Sequence, residues 1–244
     1  MLSLIRPHWP APKHIVAYTT TRQGGVSTGN YSGLNVGLHV GDVPEHVFNN
    51  RALLPASEKI WWLEQVHGNQ CVRLPQLRKE GTFAADASVT QAQDVFCAVM
   101  TADCVPLLLC DQNGQEVAAI HAGWQGLVNG IIENTIAEMR TAPEQMMAWV
   151  GPAISQRHYQ VGHEIAEKFS RWPGFQTSAD EDGRCYLDLP AVAESILSTL
   201  GIGWIGRSEL CTYSDSTRFY SHRFAQHAGG AATGRMASVI GITS

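Results

Sequence analysis

Cys104 and His121 are the two side chains of this chain best suited to hold a metal ion, because a thiolate and an imidazole are ligand types that zinc accepts readily. They flank two apolar runs rich in strand-forming residues, Val105–Cys110 and Val117–Ile120, and Asn113-Gly114 lies between the runs. An Asn-Gly pair in that setting is the strongest short-range hairpin signal. With Asn113 and Gly114 as a two-residue loop, Gln112 faces Gln115, His121 faces Pro106 and Cys104 faces Gly123. Cys104 and His121 then project from one face as diagonal neighbours, roughly 7–8 Å apart at the backbone. An ion with bonds of about 2.0–2.3 Å can bridge that gap. Pro106 cannot donate to a ladder, so this end of the hairpin is expected at an edge or already in a loop. Each residue alone also has an ordinary reading, Cys104 as a small buried residue and His121 as a satisfied strand-end histidine. A third ligand would decide between the two.

The elements that must position these groups are legible in outline. His14–Thr21 reads as a strand running into a glycine turn at 22–27, and a second glycine-punctuated stretch follows at 32–38. Asp42 is expected to cap a short helix that has Pro44 in its first turn. Ile60–Val66 reads as one buried strand ending at His67-Gly68, which places a histidine where the chain leaves the core at a residue that permits a sharp exit. Cys71–Leu74 continues extended, and a loop is expected over 75–82. Asp86 reads by default as a turn residue, the alternative being a carboxylate behind a metal ligand. Beyond His121, Gly123–Gly126 opens one helix with Leu127, Ile131, Thr135 and Met139 at helical spacing. Its free amides favour an anion near the candidate site.

Met146–Val150 is a strand and Val161–Trp172 an amphipathic helix. His163-Glu164 within it starts a metalloprotease-like pattern but lacks the second histidine, so that motif is rejected. Cys185–Leu189 is a strand, and Ala191–Leu200 is a helix closed by Gly201. Strands are expected at 203–205, 209–213, 219–222 and 236–240. Strands and helices do not alternate strictly, which indicates an α+β fold in a single domain over residues 1–244.

The composition narrows the function class. With 244 residues and 44% hydrophobic content the chain can bury a large core. A net charge of −5 without a basic stripe gives no nucleic-acid or membrane-surface signal. Arginine and prolines interrupt the first ten residues before a secretory apolar region forms, and no run approaches the 18 apolar residues of a membrane span. Six scattered cysteines without Cys-x-x-Cys fit reduced thiols, so a cytoplasmic enzyme is expected.

A set of motifs in order along the chain sharpens this reading. Thr20–Ser27, Leu34-Asn35-Val36-Gly37, Asn50-Arg51, Trp62–Gly68, Ala85-Asp86-Ala87, Met100–Cys104, His121-Ala122-Gly123-Trp124, Trp149–Ile154 and Gly234–Ser238 together resemble the YfiH-like laccase-domain family. That group is also called multicopper polyphenol oxidoreductases and has been reassigned as zinc-dependent purine nucleoside phosphorylases. The resemblance spans nearly the whole chain. It implies a single-domain α/β/β/α sandwich with mixed β-sheets, and it implies that His67, Cys104 and His121 are three zinc ligands. Two histidines and a thiolate leave one tetrahedral position open, the catalytic rather than the structural arrangement. Two departures stand out. Gln125 replaces an arginine, and Ser221-His222-Arg223-Phe224 replaces Ser-Tyr-Arg-Arg, so phosphate handling is expected to differ.

The resemblance implies phosphorolysis of purine nucleosides, with adenosine deaminase activity beside it. Zn2+ is the expected cofactor, with copper the less favoured ion. Purine nucleosides and phosphate are the expected small-molecule partners, and a monomer is expected. Cys104, His121 and Asp103 are the catalytic candidates; Arg22, Asn35, Arg51 and Gln65 are the candidates for substrate and phosphate. Three alternatives stand beside this reading. One is a zinc or cysteine hydrolase editing cell-wall peptide precursors, for which a reactive Cys104 thiolate would speak. Another is copper-dependent polyphenol oxidation, for which one His-His-Cys group offers few ligands. The third is a non-catalytic metal that pins the hairpin to the His67 strand.

Overall fold

A computed structural model describes residues 2–75, 83–172, 175–177, 179–230 and 232–244. Two mixed sheets occupy its centre. One orders Leu4–Ile5, Ile15–Thr20, Met236–Ile242, Phe96–Thr101 and Ile60–Trp61, antiparallel except for the last pair. The other orders Trp204–Arg207, Met146–Val150, Val105–Asp111, Val117–Ala122, Ala87–Thr90 and Cys71–Leu74, with a parallel pair at each edge.

Side-chain alternation builds the layers. Leu108 and Cys110 meet Cys97, Val99 and Ile240 between the sheets. Their neighbours Leu107 and Leu109 point the other way, toward Leu127, Ile131, Val192 and Leu197. Those residues belong to the helices Trp124–Val128, Ile131–Glu138 and Leu189–Thr199, which cover the outer face of the six-stranded sheet. Phe96, Ala98 and Met100 form the opposite outer face with Leu34 and Val36. The helix Pro44–Ala52 reaches that face through Arg51, which bonds to the Val36 carbonyl and the Met100 sulfur. The result is the expected α/β/β/α sandwich. Its central strands are buried on both faces, which is why they read as continuous apolar runs.

The hairpin has the expected register, with Pro106 opposite His121 and Cys110 opposite Val117. Its loop is longer than two residues. The Asp111 amide bonds to the Glu116 carbonyl, and the Asp111 carboxylate accepts the amides of Asn113, Gln115 and Glu116. Because the extra residues are added equally on both sides of Asn113-Gly114, the pairing is unchanged. The expected edge is not one. Val105–Asp111 is a central strand, and Pro106 is accommodated because the neighbouring ladder stops at Val150 opposite Leu107.

Other expectations are corrected by packing. Val43, not Asp42, holds the helix N-cap position, while the Asp42 carboxylate accepts from Ser27 Oγ at 2.6 Å and Asn35 Nδ2 at 2.8 Å. The strand expected over 60–66 splits. Ile60–Trp61 joins the first sheet, Leu63–Glu64 pairs with Phe83–Ala84, and Trp62 between them lies under the Arg51 guanidinium. The helix after His121 breaks at Gly130, whose φ of 83° favours glycine. Residues 161–172 form only a short strand with Gln160, a four-residue helix and a 3-10 turn. Residues 209–213 and 219–222 are not strands; the former contribute one isolated bridge, Cys211 to Ala153. From residue 76 to 82 the loop expected at 75–82 lies outside the described residues.

Candidate metal centre

The three candidate ligands come from three different structural situations at one end of the sandwich. Cys104 lies on the short crossover that carries the chain from Phe96–Thr101 in one sheet to Val105–Asp111 in the other. Asp103 makes that crossover tight with a φ of 91°. His121 sits near the end of Val117–Ala122 and is buried. His67 is exposed, on a turn whose left-handed residue is His67 itself, at φ 58°, rather than the neighbouring Gly68.

These turns place one ligand atom each from His67, Cys104 and His121 within 4.8 Å of one another. Small side-chain rotations suffice to draw the three onto an ion with bonds of about 2.0–2.3 Å. Space is reserved beside them. A Cβ on Gly123 would stand 3.0 Å from Cys104 Sγ, 3.4 Å from His67 Cδ2 and 3.8 Å from His121 Nε2. The donor set therefore fits a zinc-type ion, with Nε2 as the His121 ligand atom.

The electrostatics agree with that fit. Burial pushes the Cys104 thiol up, but the facing His121 and His67 imidazoles outweigh it and hold the thiol at about 6. Burial works against charge on His121 too, yet Cys104 and Asp86 raise its pKa to about 9. The fully buried Asp86 carboxylate accepts from His121 Nδ1 at 2.8 Å. It also accepts the backbone amides of Val66 (3.3 Å), His67 (3.0 Å) and Gly68 (2.7 Å). Despite burial, these bonds keep its pKa below the ordinary carboxylate value. Of the two readings of Asp86, the structure favours the carboxylate bonded behind a candidate ligand over the plain turn residue.

The remaining candidates separate by what their polar atoms already hold. Asp103 lines a cavity together with His67 and Cys104, with Oδ1 accepting from Thr212 Oγ1 and Oδ2 from the Arg223 amide, both at 2.7 Å. Arg51 packs 3.9 Å over Trp62, and burial lowers its pKa to about 10. The Asn35 and Gln65 side chains hold backbone groups, Asn35 also donating to Asp42. Asn35 Oδ1 accepts from the amides of Gly37 and Arg235, and the Gln65 amide pairs both ways with Met100. Arg22 is not brought to the cluster. It lies over Tyr220, bonds to the Ser216 and Ser32 carbonyls, and lines a different cavity.

Three cationic or titratable groups near the cluster were not among the expected site residues, although His222 stood out in the sequence as a departure from the family pattern. His39 is held below its ordinary pKa by burial and then by Arg235, Arg51, His67 and His121 around it. His222 is lowered by burial and by Arg235. Arg235 is half-buried, its guanidinium bonded to the carbonyls of Thr233 and Gly234. Among the described residues neither Arg51 nor Arg235 forms an ion pair with a carboxylate. The signal for Arg235 was its place just ahead of the last strand, but nothing in sequence spacing ties it to Cys104.

The cluster opens onto a cavity of about 520 Å³ lined by His67, Asp103, Cys104, Trp124, Gln125, Tyr159, His222 and Arg223 among others. A second cavity of about 510 Å³ surrounds Cys211. Volume alone does not choose between them; the three-donor group does. Among the described residues no helix is long and apolar enough to cross a membrane.

Comparison with known proteins gives a consistent picture. The sequence profile of the family described as multi-copper polyphenol oxidoreductase laccase matches residues 16–243. An Escherichia coli protein named purine nucleoside phosphorylase YfiH is 42% identical over 249 residues, covering 98% of this chain and 99% of that protein. A Haemophilus influenzae protein named purine nucleoside phosphorylase is 40% identical, with 98% and 99% covered. The crystal structure of a Neisseria meningitidis protein superposes with a TM-score of 0.91 at 40% identity, covering 99% of each chain. YlmD from Geobacillus stearothermophilus superposes at 0.90 with 28% identity, covering 99% of this chain and 96% of that one.

Proposed function

Because this chain belongs to the multi-copper polyphenol oxidoreductase laccase family and has relatives named purine nucleoside phosphorylase, we propose that it cleaves purine nucleosides with phosphate at a zinc centre. The observation that carries this reading is the His67, Cys104 and His121 cluster beside a cavity, with Arg51 and Arg235 around the neighbouring His39 and neither of them in an ion pair with a carboxylate among the described residues. In this reading the three side chains hold zinc, which when bound supplies a Lewis acid with one position free for substrate.

In phosphorolysis a phosphate oxygen bonds to C1′ of the ribose while the C1′–N9 bond breaks and the purine leaves with the electron pair. Positive charge develops on the ribose, so the protein must fix a phosphate anion beside it. Arg51 and Arg235 are the cations we assign to that task. Asn35 assists by fixing the Arg235 backbone, and Gln65 by fixing Met100, against whose sulfur Arg51 packs. Trp124 and Tyr159 supply aromatic walls for a purine. The substrates proposed are adenosine, inosine, guanosine and methylthioadenosine.

Adenosine deamination is the second activity proposed for the same site, with water adding at C6 and ammonia leaving. Asp103 is the side chain we assign to carry the proton, since a carboxylate has further acceptor positions beyond the two used here. The three-donor cluster is the only one among the described residues, which disfavours a multicopper oxidase. We place the enzyme in the cytoplasm as a monomer, with residues 1–244 as one catalytic domain. Its cysteines, none of them in a disulfide, suit a reducing compartment.

The test measures metal content and base release from inosine, adenosine and methylthioadenosine, with and without phosphate, for wild type and Cys104→Ala. Zinc near one equivalent and phosphate-dependent release that the variant loses are expected. Phosphate-independent release, or full activity in the variant, would overturn the phosphorylase reading.

A further inference from the structure

We infer that Asp86 is the positioning residue that makes two of the three candidate ligands competent together, by fixing the tautomer of His121 and the turn that carries His67. The inference rests on the metal-binding reading of the cluster. Its physical basis is that one buried carboxylate serves both ligands.

The Asp86 oxygens divide the work. Oδ1 accepts from His121 Nδ1 and from the His67 amide, and Oδ2 accepts from the amides of Gly68 and Val66. Three backbone amides can only donate to this carboxylate, so it serves as the acceptor, the ring proton sits on Nδ1, and Nε2 is the His121 atom facing Cys104 and Gly123 that is left to bind a metal. The same carboxylate neutralises three converging amides and so holds His67 in its left-handed conformation, which costs a non-glycine residue free energy. The Asp86 main chain joins in, its carbonyl accepting the His121 amide at 2.7 Å. Position 86 thus sits between the exposed ligand and the buried one and bonds to both.

An amide at this position cannot do both jobs. If Asp86→Asn places its NH2 where Oδ1 was, it meets the His67 N–H and donates to His121 Nδ1, moving the ring proton to Nε2, the metal-facing atom. If the NH2 takes the Oδ2 side, the Val66 and Gly68 amides face a donor and the His67 turn loosens. Either orientation compromises one ligand.

The experiment is competition for zinc between the full-length protein and a chromophoric chelator, for wild type, Asp86→Asn, His67→Ala and the double variant. A 10- to 100-fold loss of zinc affinity is expected for Asp86→Asn. A smaller further loss is expected when that change is added to His67→Ala, because the part of its effect that runs through the His67 turn is then already gone. Thermal melts in chelator report any purely structural contribution separately. A second measurement needs no variant: in wild type loaded with cadmium-113, scalar coupling is expected to His121 Nε2, with the ring proton on Nδ1. Asp86→Asn binding zinc within twofold of wild type, or metal coupled to His121 Nδ1, overturns the inference. If wild type itself binds no zinc or cadmium, the underlying metal reading fails instead.

Discussion

Gly123 gives Cys104 its room: a methyl group at position 123 would lie 3.0 Å from the Cys104 sulfur. The Gly123 backbone, at φ −74° and ψ 170°, is one that alanine adopts without strain. Gly123→Ala is therefore a test of space alone. Crowding by one methyl costs about 1–3 kcal/mol where neighbours cannot yield, which corresponds to roughly five- to 150-fold in zinc affinity. Zinc titration and circular dichroism check it, with weakened binding and an unchanged fold as the expected pair. Unchanged binding would show that the ligands do not close on the Gly123 side.

Two cysteines are expected to react with iodoacetamide after zinc is removed. Cys104 is one, its thiol held at about 6 by the two imidazoles against the opposing effect of burial. Cys211 is the other, half-buried and held below its ordinary pKa by Ser155 and Ser214 although burial opposes them. Cys97 and Cys110 are fully buried, and burial pushes both to about 12. A lowered pKa means that the thiolate survives at lower pH, so Cys104 labelling should persist down to about pH 6 and fade below it. Added zinc should protect Cys104 and leave Cys211 labelling unchanged, as read by peptide mass spectrometry. Equal protection of both sites would contradict the ligand assignment.

Asp111 closes the hairpin on which His121 depends. Its buried carboxylate accepts three loop amides, so Asp111→Ala leaves donors that only water can serve. A loss of about 1–3 kcal/mol in unfolding free energy is expected, measured by urea denaturation. The chain continues into paired strands on both sides, so zinc stoichiometry should stay near wild type once the protein is folded. Loss of zinc at full foldedness would mean that the turn, not the ladder, sets the register.

That register was legible in the sequence because the loop is symmetric about Asn113-Gly114, so its true length did not matter to the pairing. His67 was legible as a histidine at a strand exit, although the strand proved to be two short ones. Other features depended on partners far along the chain. Asn35 and Gln65 are candidates for substrate through the family resemblance, and the structure shows that their amides also bond to Arg235 and Met100, which spacing cannot reveal. Residues 219–222 have strand-like composition, yet Phe219 and Tyr220 are buried without pairing to a strand among the described residues. Asp86 looked like one more turn aspartate until the amides of 66–68 and the ring of His121 converged on it.

Arg22 and Arg51 were equal candidates for phosphate, and the structure separates them. Arg22 spends its guanidinium on Tyr220 and on two carbonyls away from the cluster, whereas Arg51 lies near His39 with its charge unmatched by any carboxylate among the described residues. Arg51→Met should raise the KM for phosphate at least roughly tenfold, the worth of a lost charge-assisted hydrogen bond of about 1.5–3 kcal/mol. The KM for nucleoside should move little. Arg22→Met should leave both constants within about twofold and instead lower stability by roughly 0.5–2 kcal/mol through the lost ring contact and carbonyl bonds. Steady-state kinetics with phosphate varied at saturating inosine, paired with thermal melts, reads both outcomes. If Arg22→Met raises the phosphate KM and Arg51→Met does not, the anion is bound on the Tyr220 side, and the cations around the metal cluster are not its site.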